Sequence, residues 1–290
     1  MSPLYEPINL DDLIERANTL EPLPASATRL SEILGKEDWQ LEDVVEVVSH
    51  DQGLTGRLLR VANSAAQAPQ DRVATVDQAV VRLGAGAVLA VAIGSGVRKQ
   101  VDRAIPEYGM AEGEMWALSV AASTVADGLR GYTQRRIPIE ASTAALLHDI
   151  GKLVLARYLD ADLLRHLAMA RETAGLSEDR AEIEVLGVNH AELGGLVAQS
   201  WNLPSIIVEG ISYHHTPADA YFAHTESIIA HTVHLASVVA QYVVSNTEEL
   251  PENTSTLAAS KIRLGISMGD FKVMCYDMRV KFQAVRAAYD

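Results

Sequence analysis

The sequence predicts an all-α protein arranged in two lobes, and three observations carry that prediction. Apolar residues recur at three- and four-residue spacing along nearly the whole chain. Strict apolar–polar alternation is scarce and the Asn-Gly hairpin dipeptide is missing, which argues against a large sheet. Between Asp102 and Gly113 the periodicity breaks, with Pro106, Gly109 and Gly113 set among charges, as in a connection between lobes.

Taken in order, Leu23, Ala27, Leu30 and Leu34 share one helical face, with Pro24 in the first turn and Gly35 at the stop. Leu41, Val44, Val45 and Val48 make a second face, and Leu54, Leu58 and Val61 a third. A helix from about Thr75 to Leu83 precedes a buried one running towards Val101, whose Gly84, Gly86, Gly94 and Gly96 suit close packing. Gly84-Ala-Gly86 opens like a dinucleotide fingerprint, but its sixth position is Leu89 and no strand precedes it. Beyond the break, helices are expected over Glu114–Arg130, Ile139–Asp149, Leu159–Ala174, Ser177–Leu186, Ala191–Trp201 and Ser205–Tyr213. A long helix from about His224 to Val244, a polar loop over Ser245–Thr256, and helices near Ser260 and over Asp270–Ala288 complete the chain. The boundaries that follow are residues 1–104 for the first lobe, 105–245 for the second, and 246–290 for a loop and helices packed on the second.

Composition narrows the function. With 290 residues, 48% hydrophobic and 21% charged, the chain buries a substantial core. A formal charge of −14 argues against a general nucleic-acid binder, which needs a basic face, though it leaves room for a local basic site. Cys275 is the only cysteine, so an internal disulfide and a Cys-based zinc site are excluded. Met1–Leu20 carries acids and no apolar segment, unlike a secretory signal. The uncharged run Leu83–Val97 is shorter than the ~20 residues of a spanning helix. A cytoplasmic protein without membrane attachment is the expectation. Oligomeric state is not legible.

The sharpest local signal is Leu146-Leu147-His148-Asp149-Ile150-Gly151-Lys152. An adjacent His-Asp pair at a helix end offers an imidazole nitrogen and a carboxylate oxygen to one cation, and Lys152 could meet a phosphate oxygen. A catalytic metal needs about three protein ligands and an open position. Candidates for the others are His190 and the pair His214-His215. The plainer reading of His190 is the first turn of a helix capped by Asn189 and Glu192.

Beyond these residues, the chain resembles a known family. His148-Asp149-Ile150-Gly151-Lys152 is similar to the signature of the HD superfamily of metal-dependent phosphohydrolases. Leu23-Pro24-Ala25, the block from Asp51 through Arg57, Arg60, Asn63 and Ser64 to Ala65, and Ala79 to Gly84 resemble the front of an HDOD domain. Gly187 to Gly194, Trp201 to Pro204 and Tyr213-His214-His215 resemble its later part. The resemblance implies a two-lobed helical HDOD fold with an HD-like second lobe, and a role in bacterial signal transduction often without catalysis. Cyclic-di-GMP signalling is among the processes it suggests.

Carried over by residue, the resemblance gives His148, Asp149, His190 and His214 as metal ligands and Lys152 as a catalytic residue if the site is active. The set is incomplete. Leu118 stands where the superfamily has an early histidine, and Ser237 where it has a late aspartate. A leucine cannot coordinate, and a neutral hydroxyl replaces a carboxylate poorly. The expected cofactor is therefore none, or a weakly bound divalent ion such as Fe, Mn or Mg. The expected function is a non-catalytic module that binds a signalling protein or a cyclic dinucleotide, with an incomplete metal-dependent phosphohydrolase or phosphodiesterase as the alternative. In the first lobe, Asp51, Arg57, Arg60, Asn63 and Ser64 are candidates for a ligand or partner groove, against the plainer reading that they cap helices.

Overall fold

The computed structural model describes residues 20–36, 38–64, 72–222, 225–245 and 247–289. Most of the segment Met1–Leu20, Ala65 of the resemblance block, and His224 lie outside the described residues. In the first lobe the helices are α1 (Ala25–Leu34), α2 (Leu41–Ser49), α3 (Gln52–Asn63), α4 (Val76–Leu83) and α5 (Ala85–Val101). The second lobe has α6 (Glu114–Gly128), α7 (Ala141–Leu147), α8 (Lys152–Leu155), α9 (Ala161–Ala174) and α10 (Glu178–Leu186). It continues with α11 (His190–Ser200), α12 (Ser205–Ser212) and α13 (Ile228–Ser245), and α14 (Ser255–Leu264) and α15 (Met268–Tyr289) follow.

The helices start where side chains can satisfy their unpaired N–H groups. Asp51 accepts from the Leu54 N–H at 2.9 Å, Asp160 from the Leu163 N–H at 2.9 Å, and Asn189 from the Glu192 N–H at 2.9 Å. Glu192 returns the favour to the Asn189 N–H at 3.2 Å, closing a capping box at the head of α11. Between Val101 and Glu114 the chain makes a 3₁₀ turn at Pro106–Tyr108 and an antiparallel bridge from Ile105 to Met110. The only strand pairing among the described residues is Tyr221–Phe222 with Thr225–Glu226, two residues a side. The chain is all-α.

α1, α3 and α4 pack onto α5, α2 packs against all three of them, and α5 leans on α7. Its glycines make that possible. A Cβ on Gly86 would lie 2.0 Å from the Ile139 carbonyl oxygen, so the backbone before α7 presses directly on α5. In the second lobe α6 and α13 make the most extensive helix contact, with α7, α12 and α14 around them. α15 runs along α6 and α13 and also reaches α3, tying the carboxyl-terminal segment to both lobes. The sequence-based expectation packs this segment on the second lobe. One continuous apolar core spans the whole, including Leu54, Leu89, Met115, Leu146, Ile150 and Phe271. α13 is 18 residues long and apolar enough to cross a membrane by composition, but 72% of it is buried against other helices, as in a core helix. It exceeds the Leu83–Val97 run in length.

Candidate metal centre

α7 ends at Leu147 and the chain turns through His148, Asp149, Ile150 and Gly151 into the single-turn α8. The turn is pressed against the start of α11. A Cβ on Gly151 would fall 2.0 Å from the His190 carbonyl oxygen and 2.6 Å from the Gly194 nitrogen. Only glycine lets the two backbones approach that closely, and that approach brings Asp149 to His190.

Four of the predicted residues surround the Asp149 carboxylate. His190 Nε2 is 3.2 Å and His214 Nε2 3.9 Å from Oδ1, while His148 Nε2 is 3.4 Å and Lys152 Nζ 3.1 Å from Oδ2. The predicted set His148, Asp149, Lys152, His190 and His214 is thus brought together. Each ligand candidate has its other ring nitrogen fixed. His148 Nδ1 donates to the Ala145 carbonyl at 2.8 Å, His214 Nδ1 to the Ile211 carbonyl at 2.7 Å, and His190 Nδ1 to Glu182 Oε2 at 2.7 Å. Holding Nδ1 in this way leaves Nε2 as the outward nitrogen, the arrangement by which proteins orient metal-binding imidazoles.

Glu182, Glu178, Tyr108 and His234 are site residues that the sequence does not single out, whereas His215 is a candidate there beside His214. Glu182, buried on α10, accepts from His190 twice and from the Tyr108 hydroxyl at 2.8 Å. Glu178, one helical turn earlier, accepts from Lys152 Nζ at 2.6 Å. Lys152 also lies 5.3 Å from the centroid of the Tyr108 ring. His215 packs on His214 with ring centroids 4.0 Å apart, and its Nε2 is 2.9 Å from His190 Nε2. On α13, Ser237 donates back to the His234 carbonyl at 2.9 Å, whereas His234 donates from Nδ1 to the His214 carbonyl at 2.7 Å. His234, not Ser237, is the side chain of that segment that braces the cluster. Leu118 is half-buried on α6.

Burial and pairing set the charges. Burial disfavours charge on Asp149, but His148, Lys152 and His190 outweigh it and hold the carboxyl well below the usual range. Burial likewise opposes protonation of His190, yet Glu182 and Asp149 raise it to about 9. Lys152 is held above its ordinary value by Asp149 and Glu178 against the cost of burial. His148, His214 and His215 are pushed down by burial, the last two strongly, and stay neutral. The protonated His190 therefore donates from both nitrogens, and neutral His215 receives.

The donor set fits a divalent ion. Two ligands on one ion with bonds near 2.1 Å lie about 3–4.2 Å apart, matching the spacing around Asp149 Oδ1. His214 Nε2 is buried with no hydrogen-bond partner, and His190, His214 and His215 present nitrogens within 4.8 Å of one another. His148, Asp149, His190 and His214 would hold such an ion, which as a Lewis acid would polarise a bound oxygen. Its binding would displace the His190 proton, since only neutral imidazole ligates.

The first-lobe candidates separate. Asp51 caps α3 and accepts from the Ser26 hydroxyl at 2.8 Å. Asn63 donates to the Val73 carbonyl at 2.9 Å and accepts from the Val73 N–H at 2.8 Å, and Ser64 donates to the Val61 carbonyl at 2.8 Å. Those three use their polar groups on local structure. Arg57 and Arg60 instead line a cavity facing α5 and α6.

A helical two-lobed chain with a His-Asp turn set against an anchored histidine cluster is an HD-type domain. It belongs to the HDOD domain family, whose profile matches residues 20–217. Among solved structures it resembles a protein of Shewanella amazonensis SB2B described as a candidate phosphohydrolase, at 28% identity and a TM-score of 0.70, covering 96% of this chain and 98% of that one. An HDOD domain protein with unknown function from Geobacter sulfurreducens matches at 20% identity and a TM-score of 0.68, covering 97% and 98%. An uncharacterized protein of Treponema pallidum (strain Nichols) is 25% identical over 206 residues, which is 70% of this chain and 39% of that one. The chain thus spans well under half of that relative.

Proposed function

We propose that the protein is a non-catalytic bacterial signalling module, acting by binding a partner protein or a nucleotide signal such as cyclic-di-GMP. The observation that carries this reading is closure of the HD-like cluster. The side chains of His148, Asp149, Lys152, His190 and His214 are all at most 10% exposed. Lys152, the group suited to a substrate phosphate, is committed to Asp149 and Glu178. A catalytic metal keeps a position open to water and substrate, whereas a structural one is enclosed by protein donors. An ion here would lock the turn before α8 to α11 and α12.

A second reading, a metal-dependent phosphohydrolase, draws on the unpartnered His214 Nε2, the anchored imidazoles and the likeness to the Shewanella protein. One experiment separates the two. Protein loaded with manganese or iron is assayed against a phosphoester panel that includes cyclic-di-GMP. The expected result is stoichiometric metal at most, with no turnover. Multiple turnover that disappears in His148→Ala would establish the second reading instead.

A further inference from the structure

The connection between the lobes reaches the metal centre. Residues 102–113 form a short hairpin whose backbone bonds close on one another. Ile105 and Met110 exchange N–H to carbonyl bonds at 2.9 and 3.1 Å, and the Gly113 N–H donates to the Asp102 carbonyl at 2.8 Å. Ile105 is buried and roots the hairpin in the core, while Pro106, Glu107, Tyr108 and Gly109 make its tip. Gly109, in the left-handed conformation at φ 66°, lets the chain double back there.

Tyr108, on that tip, meets the centre. Its hydroxyl donates to Glu182 Oε1 at 2.8 Å, and the other oxygen of that carboxylate accepts from the His190 N–H and Nδ1 at 2.8 and 2.7 Å. Its ring faces Lys152, whose ammonium lies 5.3 Å from the centroid. Space flanks the tip on two sides. A cavity of about 130 Å³ separates Tyr108 from α9 and is bordered by Glu178 and Glu182. Another of about 400 Å³ lies between Pro106 and Leu153 of α8.

We propose that this hairpin is a strap that gates the metal centre, with Tyr108 as its latch. The proposal rests on the reading of the cluster as an enclosed, non-catalytic site, and names what regulates that enclosure. A buried carboxylate that loses a donor must find another, so lifting Tyr108 draws water onto Glu182 and loosens its hold on His190. Tyr108 is thus a positioning residue, acting on the ligand His190 through Glu182. The latch is one hydrogen bond to a charged group, which biases the strap toward closure by about ten- to a hundredfold. That keeps the strap down in most molecules and leaves it within reach of a partner that favours the open form. Cavities on both sides give the tip room to move, where a tip packed on every face would have to break close contacts first.

Hydrogen exchange on metal-free protein and chelator stripping of manganese-loaded protein test the gate in Tyr108→Phe and Tyr108→Ala. The first keeps the ring at Lys152 and loses the latch, and the second loses both. In chelator the His190 amide is expected to exchange about tenfold faster in Tyr108→Phe than in the parent, while the amides of α13 keep the parent's rates. Bound manganese is expected to leave to excess chelator about tenfold faster from Tyr108→Phe, and faster again from Tyr108→Ala. Unchanged exchange at His190 in both variants, or unchanged release of bound manganese, overturns the proposal. So does a rise in exchange shared equally by α13, which is general loosening and not a gate. The exchange arm needs no metal and decides alone if manganese does not bind. Turnover of phosphoesters by the parent would end the non-catalytic reading and leave the strap standing, whereas unchanged exchange without turnover would do the reverse. Turnover confined to Tyr108→Ala would support the strap and end the non-catalytic reading.

Discussion

The HD-like cluster and the polar residues of α3 put charge and hydrogen bonds to different uses. Around Asp149 every sign is answered from within: Lys152 and His190 face the carboxylate, and Glu178 and Glu182 face them in turn. On α3, by contrast, Asp51, Asn63 and Ser64 cap the helix or bind nearby backbone, and Arg57 and Arg60 line a cavity at its side. A closed network of this kind fixes geometry, because breaking it strands a charge that cannot reach water. Separate local bonds fix only the ends they cap. The difference places an interlocked charge network in the second lobe and independent helix anchors in the first.

The largest effect should come from disturbing the closed network through its backbone. Gly151→Ala drives a methyl group against the His190 carbonyl and the Gly194 nitrogen, neither of which is a flexible side-chain end. A loss of roughly 3 kcal/mol is expected, or about 6–12 °C in Tm. Thermal and urea unfolding check it. A change under a few tenths would mean that the turn and α11 do not press together as described.

Next comes the support of the ligand shell. Glu182→Gln keeps an acceptor for His190 Nδ1 but removes the charge behind it. Manganese affinity is expected to fall about 10–100-fold, the usual price of a lost supporting carboxylate. An unchanged affinity in a titration would show that His190 is not a ligand.

A smaller effect contrasts two polar residues of α3. Asn63→Ala removes both hydrogen bonds that tie α3 to Val73 and should cost about 1–2 kcal/mol. Arg60→Ala, at an exposed position, should stay within about 0.5 kcal/mol of the parent. Urea melts on both proteins measure the contrast. The reverse pattern would show that Asn63 does not anchor α3 to Val73.

Much of this was legible from residue types, and the limits have physical causes. Asp51, Asp160 and Asn189 announce helix starts because a short side-chain oxygen can cap a backbone N–H locally. The single turn Lys152–Leu155 carries too few residues for any periodicity. His148, Asp149, Lys152, His190 and His214 stood out as chemistry-bearing residues in recognisable blocks. Glu178 and Glu182 left a fainter signal, two acids four residues apart on one helical face shortly before His190. Tyr108 left none, since its approach depends on how the connection between lobes folds back on α10.

The smallest effect tests the charge of the carboxylate that caps α3. Asp51 is held below the usual carboxylate range, first by the Leu54 N–H, then by Ser26 and Arg57, against a partial burial cost. A folded-state pKa below the unfolded one adds stability that is complete above the unfolded value, near 3.9, and is lost as pH falls through the folded value. Asp51→Asn keeps the cap, so at pH 7 it should cost only about 0.3–1 kcal/mol. As pH drops below about 4, the parent loses its advantage and the two urea midpoints should converge. A gap that stays constant or widens in acid would show that the charge of Asp51 does not stabilise α3.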